Sequence, residues 1–264
     1  MMYLFLILLI ILLYMLLETT FLSINYVNFS SGKNGLKVAH ITDVHINKLF
    51  ISNKRILKAL SKIQPDVICL SGDYIETAED IDKLLILLTK LAQCCPVYLT
   101  LGNHDHEAFM NEPDGFNRYL KSISSTGAIL LNNTNIIFTK GTKQYRLIGI
   151  DDLKYGKPDI EKAIQNISEK EINVAISHNP DIVLSLKDSK IDYLLCGHFH
   201  GGQIWMPFDL EFKILRNEQL CRQGIKRGKH KVYGINIYLN RGLGNVLLPF
   251  RLFSVPEIAL IQLP

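Results

Sequence analysis

Five short polar clusters, each directly after an apolar run, carry most of the residues in this chain that could do chemistry. They occur in the order Asp43-Val44-His45, Gly72-Asp73, Gly102-Asn103-His104-Asp105, Ser177-His178-Asn179 and Gly197-His198-Phe199-His200. Carboxylate, amide and imidazole groups without thiolates suit Mn, Fe, Zn or Co. The clusters therefore indicate a metal site to which distant parts of the chain contribute ligands.

The pair His198 and His200 follows the apolar run 193–196, which is typical of a buried strand. Alternate side chains of an extended segment point the same way, so we expect both imidazoles on one side. Residues just beyond the carboxyl ends of strands meet in one crevice of an open α/β sheet. We therefore expect seven donors to converge there: Asp43, His45, Asp73, Asn103, His178, His198 and His200.

Seven donors are more than one divalent ion normally takes from a protein, and they predict two ions about 3.5–4 Å apart that share one carboxylate. Each cluster also has a structural interpretation. Asp43 can cap a helix, Gly72-Asp73 can be a turn, and His178 can be a hydrogen-bonded core histidine. One cluster alone would favour the structural interpretation, whereas five at equivalent positions favour metal binding.

The elements that must position these clusters alternate between strand and helix patterns. We predict strands at 36–41, 67–70, 97–101, 146–150, 173–176, 193–196, 232–239 and 258–263, and helices at 53–63, 79–92, 116–123, 160–167 and 181–186. Residues 128–131 and 136–138 flank Asn132-Asn133-Thr134-Asn135 and suggest a hairpin. Alternating elements followed by strand-rich sequence predict one α/β domain, residues 36–264, built on two sheets.

The first 17 residues are uninterrupted apolar sequence. No basic residue precedes them and no small-residue cleavage site follows, which argues against a signal peptide. We therefore predict an N-terminal transmembrane helix over residues 1–18, a linker over 19–35 and a single-pass membrane localisation. Lys33 and Lys37 lie on the C-terminal side of the segment and favour a cytoplasmic catalytic domain.

The composition sets limits on the class of protein. The 264 residues are 48% hydrophobic, and 29 basic against 25 acidic residues give a net charge of +4. This charge is too small to indicate a nucleic-acid partner. Five cysteines without Cys-x-x-Cys spacing predict neither a disulfide framework nor a structural zinc site. We expect a monomer.

The ordered set Asp-x-His, Gly-Asp, Gly-Asn-His-Asp, a lone His and Gly-His-x-His resembles the calcineurin-like metallophosphoesterases over residues 36–264. The apolar N-terminus, Ser177-His178-Asn179-Pro180-Asp181 and Asn240-Arg241-Gly242-Leu243-Gly244 resemble the membrane-anchored YkuE/YaeI-type phosphodiesterase branch. Relatives of that branch include UDP-diacylglucosamine pyrophosphatases of lipid A biosynthesis. The resemblance implies a two-sheet αββα sandwich.

The resemblance also implies roles for individual residues. It places Asp43, His45 and His200 on the first metal, Asn103, His178 and His198 on the second, and Asp73 between them. It further implies that His104, with Asn103 beside it, is catalytic and touches the phosphate or protonates the leaving oxygen. Many relatives have an Asp three residues after the bridging Asp, where this chain has Glu76, so Glu76 is a candidate to orient His104.

The function that follows is a dinuclear phosphohydrolase with Mn, Zn or Fe. It would cleave a phosphodiester or pyrophosphate bond by in-line attack of a metal-bridging hydroxide, with a lipid-linked compound such as UDP-diacylglucosamine as a candidate substrate. One alternative is a membrane-tethered metal-binding scaffold, against which the intact ligand set argues. Another is a protein phosphatase or a nuclease of the same superfamily, and a nuclease should be more basic.

Three weaker signals leave alternatives open. The basic run Lys226-Arg227-Gly228-Lys229-His230-Lys231 is either a solvated hairpin or a contact for anionic lipid headgroups or a diphosphate. The segment Ile204-Trp205-Met206-Pro207-Phe208 is either an apolar lip for a substrate tail or part of the core. Arg241 either reaches the phosphate or forms a structural ion pair.

Overall fold

Two six-stranded sheets form the centre of the domain in this computed structural model, which describes residues 2–30, 32 and 34–264. The first sheet has the order β1 (Ser23–Asn28), β12 (Glu257–Gln262), β2 (Lys37–Ile41), β3 (Val67–Ser71), β4 (Val97–Thr100) and β5 (Ile129–Leu130). The second has the order β10 (Gly228–Val232), β11 (Ile235–Leu239), β9 (Tyr193–Cys196), β8 (Ile172–Ile176), β7 (Lys143–Gly149) and β6 (Thr134–Lys140).

The strands that precede the polar clusters run parallel to their neighbours. In the first sheet β2, β3 and β4 are mutually parallel, and in the second sheet β7, β8, β9 and β11 are. Parallel strands need crossover connections, which explains the alternation of strand and helix in the sequence. The carboxyl ends of the parallel strands in each sheet consequently lie at one edge of that sheet.

Helices cover the outer face of each sheet. The helices of the chain are α1 (Met2–Glu18), α2 (Asn53–Ile63), α3 (Ile81–Ala92), α4 (Asn103–Glu107), α5 (Pro113–Ser125), α6 (Ile160–Ala163), α7 (Leu210–Leu215) and α8 (Gln219–Arg222). Buried residues of α2, α3 and α5 pack on the first sheet. Those of α6, α7 and α8 pack on the second, together with a 3-10 helix at Pro180–Ser185.

The two sheets pack against each other through their apolar inner faces. Val38 and Val67 from the first sheet join Leu147, Val174 and Leu195 from the second in one buried cluster. Each inner residue removes apolar surface from water, which is the main favourable contribution to folding. The predicted two-sheet α/β architecture is confirmed, with helices outside and sheets inside.

The predicted transmembrane helix is wrong. The helix α1 has 17 residues, which span about 25 Å against a hydrocarbon core of about 30 Å. None of the helices formed by residues 2–30, 32 and 34–264 combines the length and apolar character needed to cross a bilayer. The predicted single-pass membrane localisation is therefore also wrong. At the end of α1, the buried Glu18 carboxylate accepts hydrogen bonds from the backbone N–H groups of Phe253 and Ser254.

The segment predicted as a linker contains β1, which pairs in parallel with β12 from Ser23 opposite Glu257 to Asn28 opposite Gln262. The predicted hairpin around 132–135 is wrong. β5 extends the first sheet beside β4, whereas β6 pairs with β7 in the second. The polar turn between them is thus a crossing from one sheet to the other, which a local pattern of apolar residues cannot distinguish from a hairpin.

Candidate metal centre

The ends of five strands bring the predicted donors together from both sheets. Asp43 and His45 follow β2, Asp73 follows β3, and Asn103 begins α4 after β4. From the second sheet, His178 follows β8, while His198 and His200 follow β9. The site is therefore shared between the two halves of the domain.

The first ligand group consists of Asp43, His45 and His200, all fully or almost fully buried. Each offers one atom within 4.8 Å of the atoms offered by the others. His200 Nε2 lies 3.2 Å from Asp43 Oδ1, and the rings of His45 and His200 stack with centroids 5.1 Å apart. One carboxylate and two imidazoles at this spacing can hold one divalent ion.

The second ligand group consists of Asp73, His178 and His198, which meet the same distance limit. His178 Nε2 lies 3.0 Å from Asp73 Oδ2 and 3.1 Å from His198 Nδ1. Asp73 Oδ2 is also 3.7 Å from His45 Nε2 in the first group. Asp73 therefore lies between the two groups, where a bridging carboxylate would have to be.

Several buried polar atoms at this site lack a hydrogen bond. Within the described part of the chain, the side-chain oxygen of Asn103 and both ring nitrogens of His45 have no hydrogen-bond partner. Buried polar groups are normally paired, so each unpaired atom requires an explanation. Metal coordination would satisfy the Asn103 oxygen and one ring nitrogen of His45, and the donor set consequently fits divalent ions.

The backbone at the site is unusual. Five of the predicted ligands adopt a left-handed conformation, with φ of 47° at Asp43, 36° at His45, 57° at Asp73, 72° at His198 and 49° at His200. Such conformations are costly for residues other than glycine and cluster at functional sites. The expectation that His198 and His200 converge through strand alternation is wrong in its mechanism, because β9 ends at Cys196 and a turn brings them together.

The ionisation of the site follows from burial and from close pairing. Burial alone would raise the pKa of Asp43 and Asp73, but the histidines beside them hold both below the ordinary value of 3.8. Burial alone would lower the pKa of His178, but Asp73 raises it to about 10. Burial lowers the pKa of His200 to about 4. Both carboxylates are therefore charged, and an ion binding at His178 would displace a proton.

Asp105 of the Gly102-Asn103-His104-Asp105 motif supports the site without belonging to either ligand group. Its buried carboxylate accepts hydrogen bonds from the backbone N–H groups of Asp73 and Gly102, both at 2.8 Å, and of Tyr74 at 3.0 Å. It also accepts one from the Tyr119 hydroxyl at 3.1 Å. One carboxylate thus fixes the loop after β3 against the start of α4, a role that the sequence motif alone did not reveal.

Two residues that sequence reasoning missed, Glu218 and Arg216, contact His198 without belonging to the second ligand group. Glu218 Oε1 lies 2.7 Å from His198 Nε2, which leaves Nδ1 facing His178. Arg216 donates to the His198 carbonyl at 2.6 Å. The segment that carries both is fixed by Asp181, whose carboxylate accepts hydrogen bonds from the N–H groups of Gln219 and Leu220. The Asp181 of the Ser-His-Asn-Pro-Asp motif was the available signal.

The suggested pairing of Glu76 with His104 does not occur. Glu76 lies 3.5 Å from His45 Nδ1 and 2.7 Å from Lys48 Nζ, and these contacts lower its pKa to about 2. His104 Nδ1 instead lies 3.4 Å from Glu107 Oε2, one helical turn away. The His104 backbone N–H donates to Asp73 Oδ1 at 2.9 Å, so the backbone of His104 is fixed beside the second ligand group.

The donors open into a cavity of about 460 Å³. Its lining includes the site residues Asp73, Asn103, His104, His198 and His200. It also includes Lys154, Leu215, Arg216, Glu218 and Val246. This volume accommodates a small phosphorylated compound. A phosphoryl group in the cavity would therefore meet the ligand groups and His104 together.

The structure shows where the basic run, the apolar segment and Arg241 lie. Lys226, Lys229 and Lys231 lie in and next to the edge strand β10, and Lys226 pairs with Asp209 at 2.5 Å. Trp205 and Phe208 are exposed by 44% and 83%, so core packing does not explain them. Arg241 forms an ion pair with Glu257 at 2.7 Å, which is the structural alternative considered for it.

Comparison with known proteins gives the family. Residues 36–202 match the calcineurin-like phosphoesterase family. The metallophosphoesterase YkoQ of Bacillus subtilis is 32% identical, covering 88% of this chain and 85% of that protein. The phosphodiesterase YaeI of Escherichia coli is 30% identical, covering 89% and 84%. The UDP-2,3-diacylglucosamine pyrophosphatase LpxG of Chlamydia muridarum is 27% identical, covering 87% and 84%.

The family match includes all five polar clusters, and the relatives cover most of each chain. The family typically uses a dinuclear centre of divalent metals, and the two ligand groups of this chain agree with such a centre. The chain therefore belongs to the calcineurin-like phosphoesterase family, and it is a hydrolase that acts on phosphoester bonds.

Proposed function

We propose that this protein is a dinuclear metal-dependent hydrolase that cleaves a phosphodiester or pyrophosphate bond. The observation that carries the proposal is the position of Asp73 between two buried ligand groups, 3.0 Å from His178 and 3.7 Å from His45. The names of the relatives YaeI and LpxG, a phosphodiesterase and a pyrophosphatase, support these two bond types.

Each of the two ligand groups would hold one ion. Asp43, His45 and His200 would hold one ion, and His178, His198 and Asn103 would hold the other, with Asp73 shared. Two bound divalent cations would supply an activated water and neutralise charge on the phosphoryl group. Mn, Zn and Fe all suit this mixture of imidazole and oxygen ligands.

His104 is the proposed proton donor to the leaving oxygen. Its side chain is 27% exposed to the cavity, while its backbone is fixed by Asp73 and its ring faces Glu107. A general acid must be within hydrogen-bond reach of the atom it protonates. His104 lines the same cavity as Asp73, beside which the phosphoryl group would bind. Glu107 would keep the ring oriented with Nε2 free.

A lipid-linked phosphate or pyrophosphate is the proposed physiological substrate. Leu215 and Val246 line the cavity, and Leu215 and its neighbour Ile214 are 65% and 70% exposed. An apolar chain attached to the substrate could lie on this rim while its phosphate occupies the floor. The pyrophosphatase LpxG, named for a diacylated sugar nucleotide, supports this class.

The two alternative functions predict different activities. A metal-binding scaffold would bind divalent ions without turnover. A protein phosphatase or nuclease would act on phosphoproteins or nucleic acid, and the net charge of +4 gives little attraction for nucleic acid.

The test is turnover of bis-p-nitrophenyl phosphate and of a lipid-linked pyrophosphate by purified protein, with Mn²⁺ and with chelator. We expect Mn²⁺-dependent hydrolysis that is lost in Asp73→Asn and in His200→Ala. The exposed Glu169→Ala variant is the matched control and should keep wild-type turnover. Metal binding without hydrolysis of either substrate, or full turnover by Asp73→Asn, would contradict the proposal.

A further inference from the structure

A second cavity lies beside the one that contains the ligand groups. Its volume is about 610 Å³, larger than the 460 Å³ of the first. Lys154 lines both cavities. His104 and His106, two residues apart on α4, line the first and the second respectively. The two cavities therefore adjoin at the side of the site where His104 would meet a leaving group.

The second cavity has aromatic walls. Phe109, Phe116 and Tyr155 line it, and Phe109 and Phe116 pack with ring centroids 6.0 Å apart. The Phe116 ring also lies 5.2 Å from the imidazole of His106. Tyr155 projects from the loop after β7 and is 38% exposed, with Lys154 Nζ 4.7 Å from its ring centroid. Aromatic side chains in the lining suit a flat ring.

The same cavity contains fixed polar groups. His106 Nε2 lies 2.7 Å from Asp151 Oδ1, and the Asp151 carboxylate also accepts the backbone N–H of Lys157 at 3.0 Å. Asn132 lines the cavity, and within the described residues its side-chain oxygen has no hydrogen-bond partner. A ligand with a polar edge could pair with the Asn132 oxygen, whereas a simple acyl chain could not.

Two lysines line the second cavity, and one of them, Lys154, also lines the cavity with the ligand groups. Lys154 and Lys157 are exposed residues of the loop after β7 that lines the second cavity. Their ammonium groups can attract the phosphate of a ligand whose ring lies between the aromatic walls. Aromatic faces, polar edges and adjacent cations together match a nucleoside phosphate better than they match an apolar tail.

We propose that the second cavity binds the heteroaromatic ring of a nucleoside phosphate whose phosphoryl group reaches the ligand groups past Lys154. Phe116 and Tyr155 are then residues that determine specificity by stacking on the ring. This inference rests on the proposed hydrolase function, because it names which part of the substrate lies on the His104 side of the cleaved bond.

The test is competition against Mn²⁺-dependent turnover of bis-p-nitrophenyl phosphate by the full chain. Adenosine and uridine 5′-monophosphates are compared with ribose 5-phosphate, which carries the same phosphate but no ring. We expect the better of the two nucleotides to inhibit about tenfold or more strongly than ribose 5-phosphate. The ratio of the two inhibition constants should fall towards one in Phe116→Leu and in Tyr155→Ala.

Two variants distinguish loss of ring binding from loss of folding. Tyr155 is surface-exposed, so Tyr155→Ala should fold even if Phe116→Leu loosens the packing with Phe109. Tyr233→Ala removes an aromatic ring that is 51% exposed on the turn between β10 and β11 and lines neither cavity, so it should keep the wild-type ratio.

Three outcomes would overturn the inference. Equal inhibition by nucleotides and ribose 5-phosphate in the wild type would show that no ring is bound. A nucleotide preference that survives in both Phe116→Leu and Tyr155→Ala would place the ring elsewhere. Inhibition by hexadecyl phosphate that is lost in these variants, with nucleotide inhibition unchanged, would assign the cavity to an acyl chain.

Failure of the hydrolase proposal gives a different result, namely no Mn²⁺-dependent turnover at all. In that case saturation-transfer NMR of adenosine 5′-monophosphate with the same protein tests the ring site alone. Saturation of the base protons that disappears in Tyr155→Ala supports the inference, and absence of saturation contradicts it.

Discussion

At the scale of single residues, the groups that pair with the predicted ligands determine how those ligands are oriented. His198 shows this most clearly. Its Nε2 lies 2.7 Å from Glu218 Oε1, and its Nδ1 faces His178. Partners of this kind fix the tautomer and the orientation of a ligating histidine. His45 has a weaker contact of this kind, with Glu76 at 3.5 Å.

Glu218→Ala should weaken binding of the second Mn²⁺ by about 10–100-fold, because the His198 ring loses its orienting carboxylate. Glu218→Gln keeps an acceptor oxygen and should have a smaller effect. Isothermal titration of metal-free protein with Mn²⁺ measures both sites, and Glu169→Ala serves as the exposed carboxylate control. Unchanged affinity at both sites in Glu218→Ala would show that Glu218 has no positioning role.

His104→Gln should lower kcat by about 10²–10⁴-fold for a diester with an alkyl leaving group, since such a leaving oxygen needs a proton. The loss should be much smaller for p-nitrophenolate, which leaves as a stable anion. The ratio of the two effects, measured with the same preparation, separates proton donation from general damage to the site. Equal losses for both leaving groups would argue against His104 as the acid.

The sequence allowed the ligand set to be predicted because each donor directly follows an apolar run. It did not reveal Glu218 or Arg216, which lie 18 to 20 residues beyond their partner in a segment without regular periodicity. Glu107 was equally hidden, since the predicted partner of His104 was Glu76. Contacts between side chains of irregular segments depend on how those segments pack, and no local pattern encodes that.

At the scale of secondary-structure elements, the alternation of strands and helices in the sequence predicted most of the first sheet and the centre of the second. Helix α2 shows why, since Ile56, Leu60 and Ile63 form one buried face and the helix ends at Ile63, two residues before Pro65. The predicted helix at 160–167 is shorter in the structure, ending at Ala163, and Asn166 has a left-handed φ of 62°.

The hairpin around 132–135 was mispredicted because the partner of each strand lies elsewhere in the sequence: β5 pairs with β4, and β6 pairs with β7.

The loop after β7 repeats the pattern of polar residues after an apolar run, yet Asp151 pairs with His106 and lies outside both ligand groups. Asp151 therefore stabilises the contact between α4 and the second sheet, and its effect should depend on pH.

Burial opposes charge on both members of this pair, but their hydrogen bond raises the pKa of His106 above 6.5 and lowers that of Asp151 below 3.8. The His106 contribution is complete below pH 6.5 and is lost as pH rises through its folded pKa. The Asp151 contribution is complete above pH 3.8 and is lost as pH falls through its folded pKa. The pair is thus most stabilising between these two pH values.

Asp151→Asn should lower the free energy of unfolding by about 1.5–3 kcal/mol near pH 5. The loss should be smaller near pH 9, because the His106 contribution disappears as pH rises through its folded pKa. Urea denaturation at both pH values measures the difference. The control is Asp192→Asn, whose carboxylate accepts the Asn173 N–H at 2.8 Å. A larger loss near pH 9 than near pH 5 for Asp151→Asn would contradict the assignment.

At the scale of the whole molecule, each ligand group takes residues from both sheets. Asp43 and His45 of the first sheet meet His200 of the second, and Asp73 of the first meets His178 and His198 of the second. Bound ions would therefore connect the two halves of the domain and neutralise the buried carboxylates between them.

Mn²⁺ should consequently raise the free energy of unfolding, by about 2.7 kcal/mol at a free concentration 100 times its Kd. Chelation should remove this gain. Chemical denaturation at increasing Mn²⁺ measures it, and His200→Ala should reduce the gain by removing one of the ligands. A free energy of unfolding that does not change with Mn²⁺ would show that the ligand groups do not bind it in the folded state.

The most direct test of the metal centre is an anomalous difference map from crystals grown with Mn²⁺. We predict two peaks about 3.5–4 Å apart, one among Asp43, His45 and His200 and the other among Asp73, His178 and His198, with the Asp73 carboxylate between them. A single peak, or peaks away from these two groups, would contradict the dinuclear centre on which the account depends.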